Sequence, residues 1–278
     1  MQKVRWILML PGIVWLLLLM VVPCALVLVI SFYERGIYGG IDWIFTLENF
    51  QRAADPLYLR ILGVSVSIAG IATLICILIG YPCALVLART IKGRARETLF
   101  LLVILPFWSN SLVRIFSWAI VLRGNGVLER TIEAILPWDI RLDLMFTPSA
   151  VVIGLVHSYL PYVILTSYLA LQAIDDDIVD AARSMGASSL TILRRLLLPL
   201  SLPGLLAGAV LVFVPVVGSF MEPRILGGRY GTYYGTVIED QFVAVYNWPL
   251  GAALSFVLLA VVLVILGLAS PILRKAKT

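Results

Sequence analysis

The sequence predicts an all-α membrane protein, a polytopic bundle of six transmembrane helices, and two observations carry that reading. Of the 278 residues 61% are apolar and only 13% charged, with a mean hydropathy of +1.02, against about 45–50% apolar and about 25% charged in a soluble domain. A water-soluble globule is thereby excluded. The second observation is a set of six long stretches almost free of Asp, Glu, Lys and Arg. About 20 apolar residues, each rising 1.5 Å, cross a hydrocarbon core of roughly 30 Å. Barrel strands would instead alternate over segments of about ten residues.

The stretches follow in order. No ionisable acid or base of these four types lies between Arg5 and Glu34, or between Arg60 and Arg89, which places spans at 6–33 and 61–88. The third, 98–122, is interrupted only by Arg114, and the fourth, 148–173, contains His157 as its one titratable base. The fifth and sixth are expected at 199–221 and 249–270. Lys3 and Arg5 ahead of an apolar run resemble a secretory leader, but no A-x-A site follows and Val21-Val22-Pro23-Cys24 is a poor lipoprotein site, so an uncleaved anchor is expected. Cys24, Cys76 and Cys83 fall inside spans, form no CxxC pair and read as small packing residues, with no metal site and no disulfide framework. No linker separates a soluble domain, so residues 1–278 read as one transmembrane domain.

Six spans put both termini on one side. Bases concentrate at the N-terminus (Lys3, Arg5), after span two (Arg89, Lys92, Arg94, Arg96), after span four (Arg183, Arg194, Arg195) and at the C-terminus (Arg274, Lys275, Lys277). The positive-inside rule then makes both termini cytoplasmic. The opposite loops carry more acids than bases; such a face attracts cations, although the same excess follows from the topology bias alone. The net charge of +5 and pI near 9.2 do not indicate nucleic acid, because the bases flank spans without an aromatic-interleaved patch. Contact with anionic membrane lipid is the simpler account.

The loop 175–198, DDDIVDAARSMGASSLTILRRLLL, reads as two short helices. Asp175 to Asp177 supply an N-terminal cap and charge, Ala181 and Ala182 favour helix, Gly186 ends it, and Ser188 or Ser189 caps a second helix running towards Pro199. The first helix is too short to be stable alone, which implies a partner packed on it. An amphipathic loop lying on the membrane is the alternative from periodicity.

Asp180-Ala181-Ala182, Gly186 four residues on, then Leu196, Leu198 and Pro199 match EAA-x3-G-x9-I-x-LP, with Asp for Glu and Leu for Ile. In this the chain resembles the permease subunits of bacterial ATP-binding cassette (ABC) importers, whose loop docks in a groove of the ATPase. The resemblance implies the MetI-like architecture of type I importers and assigns coupling to Asp180, Ala181, Ala182, Arg183, Gly186 and Ala187. It extends along the chain: Leu105-Pro106-Phe107-Trp108-Ser109 with Val113-Arg114 and Trp118, together with Gly80-Tyr81-Pro82, Tyr159-Leu160-Pro161, Pro203-Gly204, Leu226-Gly227-Gly228 and Asn247-Trp248-Pro249, is similar to spermidine/putrescine permeases. A polyamine is therefore the expected cargo, with an opine or another amino compound next. The implied partners are a second permease of similar fold, two ATPase subunits holding ATP and Mg, and an extracytoplasmic substrate-binding protein. No GxxxxGK[ST] loop occurs in this chain, so hydrolysis is expected elsewhere, and the chain is read as a non-catalytic permease with no cofactor of its own.

Candidate path residues follow from the cost of polarity in lipid. Arg114 must face protein or water; a conduit position and a hydrogen bond to backbone or Ser/Thr both satisfy that. Trp108, Trp118, Tyr159 and Tyr162 offer aromatic faces for an ammonium group or serve as interface anchors. Glu222, Glu239 and Asp240 either receive a cationic solute or a docking protein, or are solvated surface charge. Gly204-x3-Gly208 permits close helix approach, and Pro203 and Pro215 suggest kinks in the same span. A stand-alone secondary carrier would need intramembrane acids, which the spans lack. The absence of HExxH and the loop position of Gly186-Ala187-Ser188-Ser189 exclude intramembrane proteolysis.

Overall fold

A computed structural model describes residues 2–135 and 144–275, with side chains described from Met9 to Ala269 within that range. The terminal bases Lys3, Arg5, Arg274, Lys275 and Lys277 lie outside the described side chains. The first apolar rod comprises α1 (Gln2–Leu16), a widened π turn (Leu17–Val21) and α2 (Val22–Ile30). A hairpin, β1 (Tyr33–Arg35) and β2 (Ile41–Phe45), and α3 (Glu48–Ala53) follow, then the 34-residue α4 (Pro56–Arg89). Next come α5 (Arg94–Trp108), α6 (Ser111–Leu122), α7 (Val127–Ile135), α8 (Pro148–Gln172) and α9 (Asp176–Ser184). The chain continues with α10 (Ser189–Ile192), a second π turn (Leu193–Leu197), α11 (Leu198–Val217), α12 (Met221–Leu226), α13 (Tyr234–Val243) and α14 (Trp248–Lys275).

Among the described residues five helices are long and apolar enough to span: Met9–Ile30, Pro56–Arg89, Pro148–Gln172, Ser189–Val217 and Trp248–Ala269. The expected third span, 98–122, is instead two helices, α5 and α6, bent by 97°. Backbone chemistry explains the break. Ser109 and Asn110 are extended, and the Asn110 side chain caps α6 by accepting from Leu112 N at 2.8 Å. Counting that pair as one crossing restores six. The fifth span begins earlier than 199, because the short second helix of the expected loop is the first part of one rod running from Ser189. Both π turns end two residues before a proline, Pro23 and Pro199. A widened turn relieves the clash of a proline ring with the carbonyl four residues back.

The chain divides into two compact units. In the unit formed by residues 1–60 and 237–261, the hairpin pairs Tyr33 with Phe45 and Arg35 with Ile41 across a bulge at Tyr33/Glu34. Asn49, 5% exposed, locks it by donating Nδ2 to the carbonyls of Ser31 and Tyr33 at 3.0 and 2.8 Å. In the unit formed by residues 61–236 and 262–278, α8 packs along α11 over a core that includes Val163, Leu171, Val212 and Leu205. Tyr81 of α4 joins that core through a buried hydroxyl contact with Ser201 of α11 at 2.9 Å. Gly80 lies so near Val163 that a Cβ there would sit 3.0 Å from a valine methyl.

Candidate functional site: the α9 surface and the aromatic row on α8

Local chemistry builds α9 as its residues suggest. Asp175 is extended and caps it, accepting from Asp177 N at 3.1 Å. At the other end Gly186 takes φ +82°, Gly186 N donates to Arg183 O at 2.9 Å, and Ala187 N donates to Ala182 O at 3.1 Å. This is the Schellman arrangement that a left-handed residue permits. Ser188 then caps α10 by accepting from Thr191 N at 3.3 Å.

Val179 is the one buried side chain of α9. Asp180, Ala181, Arg183 and Gly186 are exposed, Ala182 and Ala187 half-buried. Asp180 and Arg183 form an ion pair at 3.0 Å along the exposed face, a contact of small energetic value in water. Ile178 and Met185, 47% and 81% exposed, add apolar surface beside it. The result is a small-residue ridge, flanked by apolar side chains, with one fixed charge pair.

A second feature forms at the α5–α6 break. Arg114 donates Nη1 to Pro106 O at 2.7 Å, tying α6 back to the last turn of α5, and lies 3.4 Å from Ser109 Oγ. Phe107 meets Tyr162 edge-on at 4.7 Å between ring centroids, Tyr162 stacks with Tyr159 at 6.1 Å, and Trp118 stands edge-on to His157 at 5.4 Å. Tyr159 and Tyr162 thus share one face of α8 with Phe107 against Tyr162, the Trp118–His157 pair forms a separate ring contact, and Arg114 lies within electrostatic reach of Tyr159 and His157. Phe107 and His157 each add a ring to one of these contacts; the sequence offered no charge or spacing that would have selected Phe107. Trp108 is 85% exposed and takes no part in the ring contacts of its neighbour Phe107.

Glu222 departs from a solvated charge: it is 6% exposed, and its Oε2 accepts from Ser219 Oγ at 2.5 Å. Its stem lies beside Gly154, where a Cβ would come 3.8 Å from Glu222 Cγ. A short α12 that folds back onto α6 and α8 removes it from solvent. Glu239 and Asp240 lie on the part of α13 that belongs to the other unit, half-buried and engaged in further interactions. Next to α13, burial raises the phenol pKa of Tyr233. Among the described residues, no group of three His, Cys, Asp or Glu side chains is placed to hold a metal ion.

Comparison with known proteins agrees with this architecture. A family model described as "binding-protein-dependent transport system inner membrane component" matches residues 78–276. The spermidine/putrescine transport system permease protein PotB of Escherichia coli K12 is 39% identical over 244 residues, covering 88% of both chains. The PotB protein of Haemophilus influenzae is 38% identical over 241 residues, 87% of this chain and 84% of that one. Among solved structures, a bacterial ABC transporter that imports the acidic polysaccharide alginate superposes with a TM-score of 0.78 at 16% identity, over 99% of this chain and 96% of the other. At that identity the likeness speaks for the fold. This multi-pass chain belongs to the family of binding-protein-dependent transport system inner membrane components.

Proposed function

We propose that this chain is one of two permease halves of an ATP-driven importer whose cargo is a polyamine such as spermidine or putrescine. The observation that carries the proposal is the 39% identity to a spermidine/putrescine permease across 88% of both chains. The exposed ridge of α9, with Asp180, Ala181, Ala182, Arg183, Gly186 and Ala187, serves as the coupling surface received by an ATPase subunit, where ATP and Mg reside. That places the α9 face and both termini in the cytoplasm, and a substrate-binding protein on the opposite face. The aromatic faces of Tyr159, Tyr162 and Trp118 suit a cationic solute. Arg114, spent on the Pro106 carbonyl, acts as a brace beside them.

Reconstitution of the full complex with its ATPase, second permease and binding protein tests this. Labelled spermidine should accumulate in proteoliposomes only with ATP. ATP-driven uptake of another amino solute without polyamine uptake overturns the cargo. Transport by this chain alone without nucleotide overturns the importer reading.

A further inference from the structure

We propose that Arg89 is the positioning residue that makes α9 move as one body with the ends of α4 and α8; this rests on the reading that α9 docks an ATPase. Arg89 is the last residue of α4. Its Nη2 donates to Leu171 O at 2.6 Å and to Ile174 O at 2.8 Å, and its Nη1 pairs with Asp176, the first residue of α9. One guanidinium therefore closes three helix ends: the C-terminus of α4, the C-terminal turn of α8 and the N-terminus of α9.

The acceptors explain why this position calls for an arginine. Carbonyls in the last turn of a helix lack intrahelical donors and carry the negative end of its dipole. Leu171 O in that last turn accepts a long 3.3 Å bond from Ile174 N, and Ile174 O lies just past the helix end; both residues are buried, at 0% and 8% exposure. A planar fork reaches two carbonyls and a carboxylate at once, which a lysine ammonium on a flexible stem does less well. The Arg89 side chain is 15% exposed but that of Asp176 is 86% exposed. The carbonyl legs are thus the strong part of the clamp and the ion pair the weaker part.

Little else holds α9. A groove of about 530 Å³, open to solvent, runs alongside it, lined by Arg89, Lys92, Asp176, Val179, Arg183 and Leu193, and Val179 is its one buried side chain. A nine-residue helix that borders an open groove and buries one side chain transmits load through whatever ties its ends. At its N-terminal end that tie is Arg89, together with the short connection Ala173 to Asp175; at the other end Met185 to Ser188 lead into α10. Force applied to the exposed ridge passes through the guanidinium into two spans instead of being lost in rotation of α9.

The test uses the complete transporter in proteoliposomes and two readouts. A Met185→Cys variant, exposed on the ridge, is crosslinked to the ATPase subunit, and spermidine uptake per ATP hydrolysed is measured for Arg89→Gln, Arg89→Lys and Asp176→Asn. Docking is expected to survive in all three. Uptake per ATP should fall about tenfold in Arg89→Gln, partly recover in Arg89→Lys, and fall about twofold in Asp176→Asn, in the order of the hydrogen bonds lost. A purely structural role would lower the amount of assembled complex and leave the ratio per assembled complex unchanged. That result, with crosslinking intact, overturns the clamp. Failure of Met185→Cys to crosslink in the otherwise native chain overturns the docking reading itself.

Discussion

Gly204 of α11 lies directly against the main chain of Thr166 in α8: a Cβ at Gly204 would sit 2.7 Å from the Thr166 carbonyl oxygen and overlap the Ala170 methyl. One turn further, a Cβ at Gly208 would sit 3.0 Å from Val163 Cα. The Gly-x3-Gly spacing thus lets two backbones meet where lipid supplies no hydrophobic force to join them.

Gly204→Ala should therefore push α8 and α11 apart. The backbone carbonyl has no rotamer with which to yield, so overpacking is expected to cost about 1–3 kcal/mol. The thermal midpoint of the solubilised complex reads it. Gly70→Ala, where a new Cβ meets nothing within 4 Å, should leave that midpoint unchanged or raised, since alanine is the better helix former.

The Tyr81–Ser201 contact gives a smaller effect. Ser201 Oγ also donates to Leu197 O at 2.6 Å, so it keeps a partner when Tyr81 is lost. Tyr81→Phe should cost about 0.5–1.5 kcal/mol, the net worth of one hydrogen bond. Ser201→Ala removes both contacts yet leaves the Tyr81 hydroxyl buried, and should cost more than Tyr81→Phe in the same melt.

At Gly186 backbone strain and bulk can be separated. Its φ is +82°, and nothing lies within 4 Å of a Cβ built there. Left-handed geometry costs an ordinary L residue about 1–2 kcal/mol, and asparagine less. Gly186→Asn should then couple normally and Gly186→Ala show a modest loss of stability. In Gly186→Trp the new Cβ meets nothing and the position is exposed, so a defect beyond that of Gly186→Ala is assigned to a docked partner. The expected outcome is ATP hydrolysis uncoupled from uptake in the tryptophan variant alone; normal substrate-stimulated ATPase and uptake there would refute α9 as the docking surface.

Particular residues show what a sequence discloses here. Spans are legible because lipid excludes charge, and the stretch after Arg60 ends at Arg89 in both sequence and structure. The caps Asp175 and Gly186 are legible because each performs a local task that few residue types perform. The turn at Ser109 and Asn110 is not, since counting charges is blind to chain direction and both helices around it are apolar. The hairpin Tyr33–Phe45 has strands of three and five residues, too short for an alternating pattern to stand out. The Arg89 clamp leaves no side-chain pattern at all, because two of its three acceptors are main-chain carbonyls more than 80 residues away. Glu222 reads as a surface acid until α12 folds it inwards.

Arg114 divides a brace from a cargo contact. Its bond to Pro106 O spans the break between α5 and α6, whose axes differ by 97°. A cation beside the aromatic rings repels an ammonium cargo, so binding gains nothing from it, whereas the Pro106 carbonyl, which otherwise accepts only from Ser109 N and Oγ, loses its one charge-assisted bond without it. Arg114→Leu should lower the melting midpoint by the equivalent of about 1.5–3 kcal/mol and reduce the maximal uptake rate, leaving the KM for spermidine within about twofold of the native value. Arg114→Lys keeps a donor near Pro106 O and should recover most of the stability. A variant with native stability and a sharply altered KM would place Arg114 in the solute path instead.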